Sequence, residues 1–259
     1  MNRRSAATLT AMPELVLECT ARSDIGHRPN NEDAVFGSPR VAAVADGVGG
    51  AAGGEVASSL AVMAMVSLDN RRLERSLEDE LLDAVREGND SVAFVSACRP
   101  ELAGMATTLT AVVLDSDGCY VIAHVGDSRA YLLRQGELRQ LTRDASLVQE
   151  LVDQGAITEE EARSHPQRSV VLDAIDGRPA RRVPLERVEA HAGDRLLLCS
   201  DGLSDVVADE AIAATLAGGD RERCAEALVQ AALVAGGRDN VSVLVADVVA
   251  AGAGGTAWP

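Results

Sequence analysis

The stretch RVAAVADGVGG, residues 40–50, runs an apolar segment directly into a single carboxylate, Asp46, followed by residues with little or no side chain. The apolar part has the composition of a buried strand, and a bare carboxylate at its end is expensive unless something compensates it. The same order, an apolar strand and then Asp beside Gly or a small polar residue, recurs in AHVGDSRA at Asp127 and in LLLCSDGLSD at Asp201. In GGRDNVSVLV the carboxylate Asp239 comes immediately before a strand, and RPNNEDAV puts Glu32 and Asp33 ahead of the strand at 40–46. One strand-end Asp is an ordinary turn former. Several at the ends of strands that share one core repel one another, and all can ionise together only around a cation.

Clustered carboxylates without His or Cys beside them select hard, oxygen-loving ions such as Mg²⁺ or Mn²⁺ over zinc. On this reading Asp46 bridges two ions, Gly47 lets its own carbonyl approach one of them, and Gly49 and Gly50 free the turn. Two ions about 3.5–4 Å apart activate a water and stabilise in-line displacement at phosphorus. Arg28, just ahead of Asn31-Glu32-Asp33, then becomes a candidate bidentate clamp on a phosphate dianion.

Composition narrows the function classes. The 259 residues are 47% apolar, enough for one large domain with a sizeable core. The chain contains no lysine, and its net charge of −16 leaves no basic stripe for a nucleic-acid backbone. The five cysteines are odd in number and far apart, with no CxxC pair, as expected of reduced residues in a cytosol. No run of 18 apolar residues occurs, and the first residues lack the continuous apolar segment of a signal peptide. The expectation is therefore a cytoplasmic protein that binds neither membrane nor nucleic acid.

Strand-like runs recur at 15–22, 40–46, 107–115, 119–127, 130–136, 194–201 and 241–249, and turn pairs such as Asp117-Gly118 favour antiparallel hairpins. Helical periodicity marks 55–68, 74–97 and 220–236. Adjacent strands with separate long helices predict α+β layers, sheets covered by helices. Between Arg143 and Arg168 the pattern breaks into short polar helical pieces, expected as a surface excursion. Residues 1–14 are expected as a leader, 15–249 as the folded domain and 250–259 as a tail.

SDIGHRPNNEDAV, VADGVGGAAGGEVAS, MATTLTAVVL, AHVGDSRAYLLRQGELRQLTRD, LLLCSDGLSDVV and GGRDNVSVLVADV stand in the order found in the metal-dependent protein phosphatase (PPM, type 2C) family. The chain resembles the bacterial serine/threonine branch over roughly residues 20–248. The resemblance implies a four-layer α-β-β-α sandwich of two mostly antiparallel sheets, with a dinuclear Mn²⁺ or Mg²⁺ centre at one edge. It implies that Asp46 bridges the ions, that Gly47 contributes its carbonyl, and that Asp201 and Asp239 bind directly. Glu32 and Asp33 match the Glu-Asp pair that binds directly or through water, Asp127 matches a ligand of a third, weaker ion, and Arg28 matches the phosphate-binding arginine. Residues 144–168 match the bacterial flap. Animal relatives usually carry His after the Asp-Gly pair, as a proposed general acid; here that position is Val48.

The implied activity is hydrolysis of phosphoserine and phosphothreonine on proteins by a metal-activated water, opposing bacterial Ser/Thr kinases, by a monomer. Two alternatives stay open: a phosphoprotein-binding module without turnover, and a phosphatase of an anti-sigma-factor antagonist. The first is expected to have lost Asp46, Asp201 or Asp239, and all are present.

Overall fold

The computed structural model describes residues 14–48, 53–178 and 183–252. Gly49 and Gly50 lie outside the described residues, as do most of the expected leader and tail. Along the chain come β1 (Leu15–Asp24), β2 (Ala34–Gly37), β3 (Val41–Ala45), α1 (Gly54–Asp69), α2 (Leu77–Cys98), β4 (Leu109–Leu114), β5 (Cys119–Val125), β6 (Arg129–Arg134) and β7 (Glu137–Gln140). There follow α3 (Leu147–Asp153), α4 (Glu159–Arg163), β8 (Leu185–Glu189), β9 (Arg195–Cys199), α5 (Asp201–Ser204), α6 (Asp209–Leu216), α7 (Arg221–Val234) and β10 (Val241–Ala250).

The strands form two five-stranded sheets, ordered β1-β10-β9-β6-β7 and β2-β3-β4-β5-β8, with every pairing antiparallel. The central strands are apolar on both faces because both faces are covered. In β3, Val41, Ala43 and Ala45 face α1 and α2, while Ala42 and Val44 face the other sheet. In β10, Val241, Val243 and Val245 pack with Leu228 and Ile212 of α7 and α6, while Leu244, Ala246 and Val248 fill the space between the sheets. The result is the expected four-layer α+β sandwich. Two of the outer helices begin on side-chain caps, Ser76 accepting from the Asp79 N–H and Asp220 from the Arg223 N–H.

Three strands and two helices, α5 and α6, go beyond the sequence expectation, and β10 runs one residue into the expected tail, with the Ala251 N–H donating to the Glu14 carbonyl. β2 is four residues ending in Gly; β7 (ELRQ) and β8 (LERVE) are sheet-edge strands with a mixed, partly exposed pattern, so neither shows a continuous apolar run.

The topology brings the chemistry to one edge. Ala34 of β2 pairs with Ala45 of β3, Thr110 of β4 with Val44, and Val125 of β5 with Leu109. Asp33, Asp46, Thr108 and Asp127 therefore leave one sheet at the same end. In the other sheet Asp24 of β1 pairs with Val241 of β10, and Cys199 of β9 with both Val243 and Arg129. The loop carrying Arg28, Asp239 and Asp201 emerges at the matching end, and the short Gly126-Asp127-Ser128 turn joins β5 to β6 across the two sheets.

Leu198→Ala, between the sheets, is expected to lower unfolding free energy by about 2–5 kcal/mol. Val234→Ala, at a position 86% exposed, should stay within about 0.5 kcal/mol of wild type. Urea unfolding checks both.

Candidate metal centre

Asp46 is fixed through its backbone. Its N–H donates to the Thr108 hydroxyl at 3.0 Å, and its carbonyl accepts the Thr108 N–H and the Thr107 hydroxyl, each at 2.8 Å. Thr108 in turn meets the Ser128 hydroxyl at 2.5 Å, tying the end of β3 to the turn that carries Asp127. The next residue has to be glycine for want of space: a Cβ on Gly47 would lie 2.6 Å from the Gly54 carbonyl carbon and 2.8 Å from Cβ of Glu32. The Gly47 N–H donates to the Glu32 carbonyl at 3.1 Å, so the Glu32 segment and the end of β3 are stitched together.

Asp33 is held from the other sheet. Its Oδ2 accepts the Ser200 hydroxyl at 2.8 Å, while its Oδ1 is buried without a partner. Asp201, at the start of α5, likewise keeps a buried Oδ1 that nothing satisfies. Asp239 accepts from the Arg28 guanidinium at 2.6 Å. This pair is more than a third exposed, so its attraction is largely screened and it is open to exchange with another anion. Arg28, Glu32, Asp46, Gly47, Asp127, Asp201 and Asp239 together line a cavity of about 200 Å³, floored by Thr108 and closed on one side by Val48, Ser169 and Val171.

The electrostatics follow from that packing. Burial pushes Asp46 and Asp201 well above the usual carboxylate range, reinforced for Asp46 by Asp201, Asp33 and Asp127, and for Asp201 by Asp127, Asp205 and Asp239. Asp33 is raised by burial to about 6 against the opposing hydrogen bonds of Ser242 and Ser200. Asp127 is raised to about 7 by burial and then by Asp144 and Asp205, and Glu32 is raised by burial and Glu55. Two orphaned buried oxygens in a ring of mutually repelling carboxylates fit divalent cations, since the guanidinium lining the cavity, Arg28, is held by Asp239 alone. Among the described residues no three His, Cys, Asp or Glu side chains already close on a common point. The fit to cations therefore rests on donor chemistry and unsatisfied charge.

Every predicted site residue except Asp33 lines the cavity, and Asp33 interacts with Asp46 beside it. Two contributors went unread in the sequence. Asp205, a raised, largely buried carboxylate, follows Asp201 by four residues in SDGLSD, a spacing that stacks both on one side of a helical turn. Ser169 and Val171 come from the segment returning from the flap, which carried no pattern of its own. The flap holds α3 and α4; Asp144 at its base grips Arg129 at 2.7 Å, and Arg168 at its end lies 3.5 Å from Asp205. A second cavity of about 190 Å³ beneath it, lined by Arg163, Arg168 and Asp205, joins the first at Asp127 and Asp201. None of the four histidines lines the site: His27 is exposed beside Arg28, and buried His124 turns to Thr110 at 2.9 Å.

Residues 22–235 match the family model described as Protein phosphatase 2C. The chain belongs to the protein phosphatase 2C family. It is 50% identical over 236 residues to the serine/threonine protein phosphatase PstP of Mycobacterium tuberculosis, covering 91% of this chain and 46% of that protein. The chain thus spans less than half the length of that relative. The serine/threonine phosphatase stp of Listeria monocytogenes is 34% identical, with 88% of this chain and 93% of the relative covered. Among solved structures, M. tuberculosis PstP/Ppp superposes with a TM-score of 0.85 at 49% identity, covering 90% of this chain and 98% of that one. The PstP catalytic domain in complex with two manganese ions gives 0.84 at 47% identity, covering 91% and 99%.

The raised carboxyls set a pH dependence. In the unfolded chain these groups titrate near 4, so between that value and about 6 for Asp33 and about 7 for Asp127 the folded state holds protons that the unfolded state has lost. Stability of the metal-free protein is therefore expected to fall as pH rises from 5 to 8. Saturating Mn²⁺, which replaces those protons, should remove the fall. Scanning calorimetry in chelator and in Mn²⁺ at three pH values checks this.

Proposed function

We propose that this domain hydrolyses phosphoserine and phosphothreonine monoesters on proteins, with two Mn²⁺ or Mg²⁺ ions held between the strand ends. The observation that carries the reading is the convergence of Asp46, Asp201, Asp239 and Glu32 from two sheets on one small cavity that also receives the Arg28 guanidinium. The two manganese ions of the PstP catalytic domain support the stoichiometry. Asp46, Asp201, Asp239, Glu32, Asp33 and the Gly47 carbonyl would hold the two ions, and Asp127 would hold a third. When bound, such ions lower the pKa of water and stabilise charge at phosphorus.

The chain's own groups do the rest. Arg28 exchanges its exposed contact with Asp239 for two non-bridging oxygens of a phosphate dianion, a match its planar fork makes bidentate. The Thr108 and Ser128 hydroxyls hold Asp46 and Asp127 at fixed spacing, so the carboxylates need no reorganisation during the reaction. Val48 supplies no proton where animal relatives carry His. The flap, whose Arg163 and Arg168 line the adjoining cavity, contacts the protein part of the substrate. The natural substrates are phosphoproteins made by Ser/Thr kinases. A cytoplasmic setting is consistent with five free cysteines, and among the described residues no helix is long and apolar enough to cross a membrane.

Asp46→Asn is expected to cut kcat on a phosphothreonine peptide by about 10³-fold, on the order of 4 kcal/mol of barrier, with the fold retained by circular dichroism. Arg28→Ala should mainly raise KM, since the guanidinium binds phosphate in ground and transition states alike. Arg163→Ala should change kcat/KM on a phosphopeptide more than on an aryl phosphate. Turnover that persists undiminished in excess chelator would remove the metal from the reading.

A further inference from the structure

Asn240 lies between Asp239 and the first residue of β10 and is only 4% exposed. Its side chain makes three hydrogen bonds, all to backbone and all to one loop. Oδ1 accepts the Glu32 N–H, and Nδ2 donates to the carbonyls of Ile25 and Asn30, each at 2.9 Å. Both amide protons and the amide oxygen are used, so the side chain is fully satisfied. The amide orientation is fixed too, because the flipped form would set an oxygen against two carbonyls.

Those three bonds close residues 25–32 into a single unit, and that unit carries Arg28. The guanidinium itself is exposed and holds only Asp239, so its position is inherited from the loop. The loop also docks tightly: Gly26 has a φ of +59°, and a Cβ there would stand 2.1 Å from the Asp239 carbonyl oxygen. Through Glu32, whose carbonyl receives the Gly47 N–H and the Ser58 hydroxyl, the same amide connects the start of β10 in one sheet to the end of β3 in the other.

We infer that Asn240 is a positioning residue, holding the Arg28 loop against Asp239 and the Glu32 segment against Gly47, so that the phosphate clamp and the carboxylates keep one register. The inference rests on the phosphatase reading for Arg28, but the geometry of the loop does not. Only an amide serves here. Aspartate would keep the bond from the Glu32 N–H yet turn a carboxylate oxygen toward the carbonyls of Ile25 and Asn30, and alanine would release all three groups.

The test measures steady-state kinetics on an aryl phosphate with Mn²⁺, inhibition by inorganic phosphate, and backbone hydrogen exchange in chelator, for wild type, Asn240→Ala, Asn240→Asp, Arg28→Ala and the Arg28→Ala/Asn240→Ala double variant. Asn240→Ala should raise KM and the phosphate inhibition constant together by about tenfold, with a smaller fall in kcat. The double variant should match Arg28→Ala in KM to within about twofold, because the two residues act as one unit. Exchange at the Glu32 amide should speed up by about tenfold or more. If Asn240→Ala does not fold, Asn240→Asp should show the same kinetic pattern, with exchange at the Glu32 amide, whose bond it retains, less affected. A KM within twofold of wild type in both variants, or multiplicative effects in the double variant, would overturn the inference. So would unchanged exchange at Glu32 in Asn240→Ala. Exchange decides on Asn240 even if the wild-type protein turns over no phosphate ester, a result that would count against the phosphatase reading alone.

Discussion

Mutual repulsion among buried carboxylates is the constraint on which the rest of this molecule depends. Asp46 and Asp201 are buried deeply enough, and close enough to Asp33, Asp127 and Asp239, that ionising all of them without a counter-charge is prohibitive. A fold tolerates such a cluster only where its framework is stable without it. Here the framework is the four-layer sandwich, whose three apolar clusters lie behind the strand ends and draw nothing from the charged edge.

The sandwich also fixes where each charge sits. Antiparallel pairing sends the ends of β3 and β5 and the starts of β2 and β4 to the same side, and does likewise for β9, β10, β1 and β6 in the other sheet. Carboxylates at those positions need only short hydroxyl bonds to be held. Thr108 with Ser128, and Ser200 with Asp33 and the Ser242 N–H, provide them. The acidic site is thus built on sheet edges and braced by small polar residues, while the more exposed parts, the Arg28 loop and the flap, meet the solvent side.

Much of this was legible in the sequence because strands buried on both faces carry an unbroken apolar signal that stops abruptly at the chemistry. RLLLCSD and RVAAVAD announce both the strand and its terminal carboxylate. The features that escaped have physical reasons. β7 and β8 pair along one side only and are too short and too mixed in polarity to show either an apolar run or a clean alternation, so periodicity does not separate them from loop. α6 is eight residues beginning at an Ala cap with no side-chain hydrogen bond, so it offered no start signal. Asp205 hid because its partner Asp201 already explained the motif, and Ser169 because its place depends on how a long excursion folds back. Asn240 was visible as a letter in GGRDN, but its three backbone partners lie more than two hundred residues away.

Divalent cations are expected to take the place of protons on these carboxyls. Titrating the chelator-stripped protein with Mn²⁺, in buffers of differing ionisation enthalpy at several pH values, counts the protons released per ion bound. Two tightly bound ions and a weaker third at Asp127 are expected, with release of more than one proton near pH 6 that diminishes as pH rises through and beyond about 7, where Asp127 has already lost its proton. Binding of Mn²⁺ with no proton release at pH 6, or no binding at all, would contradict this expectation.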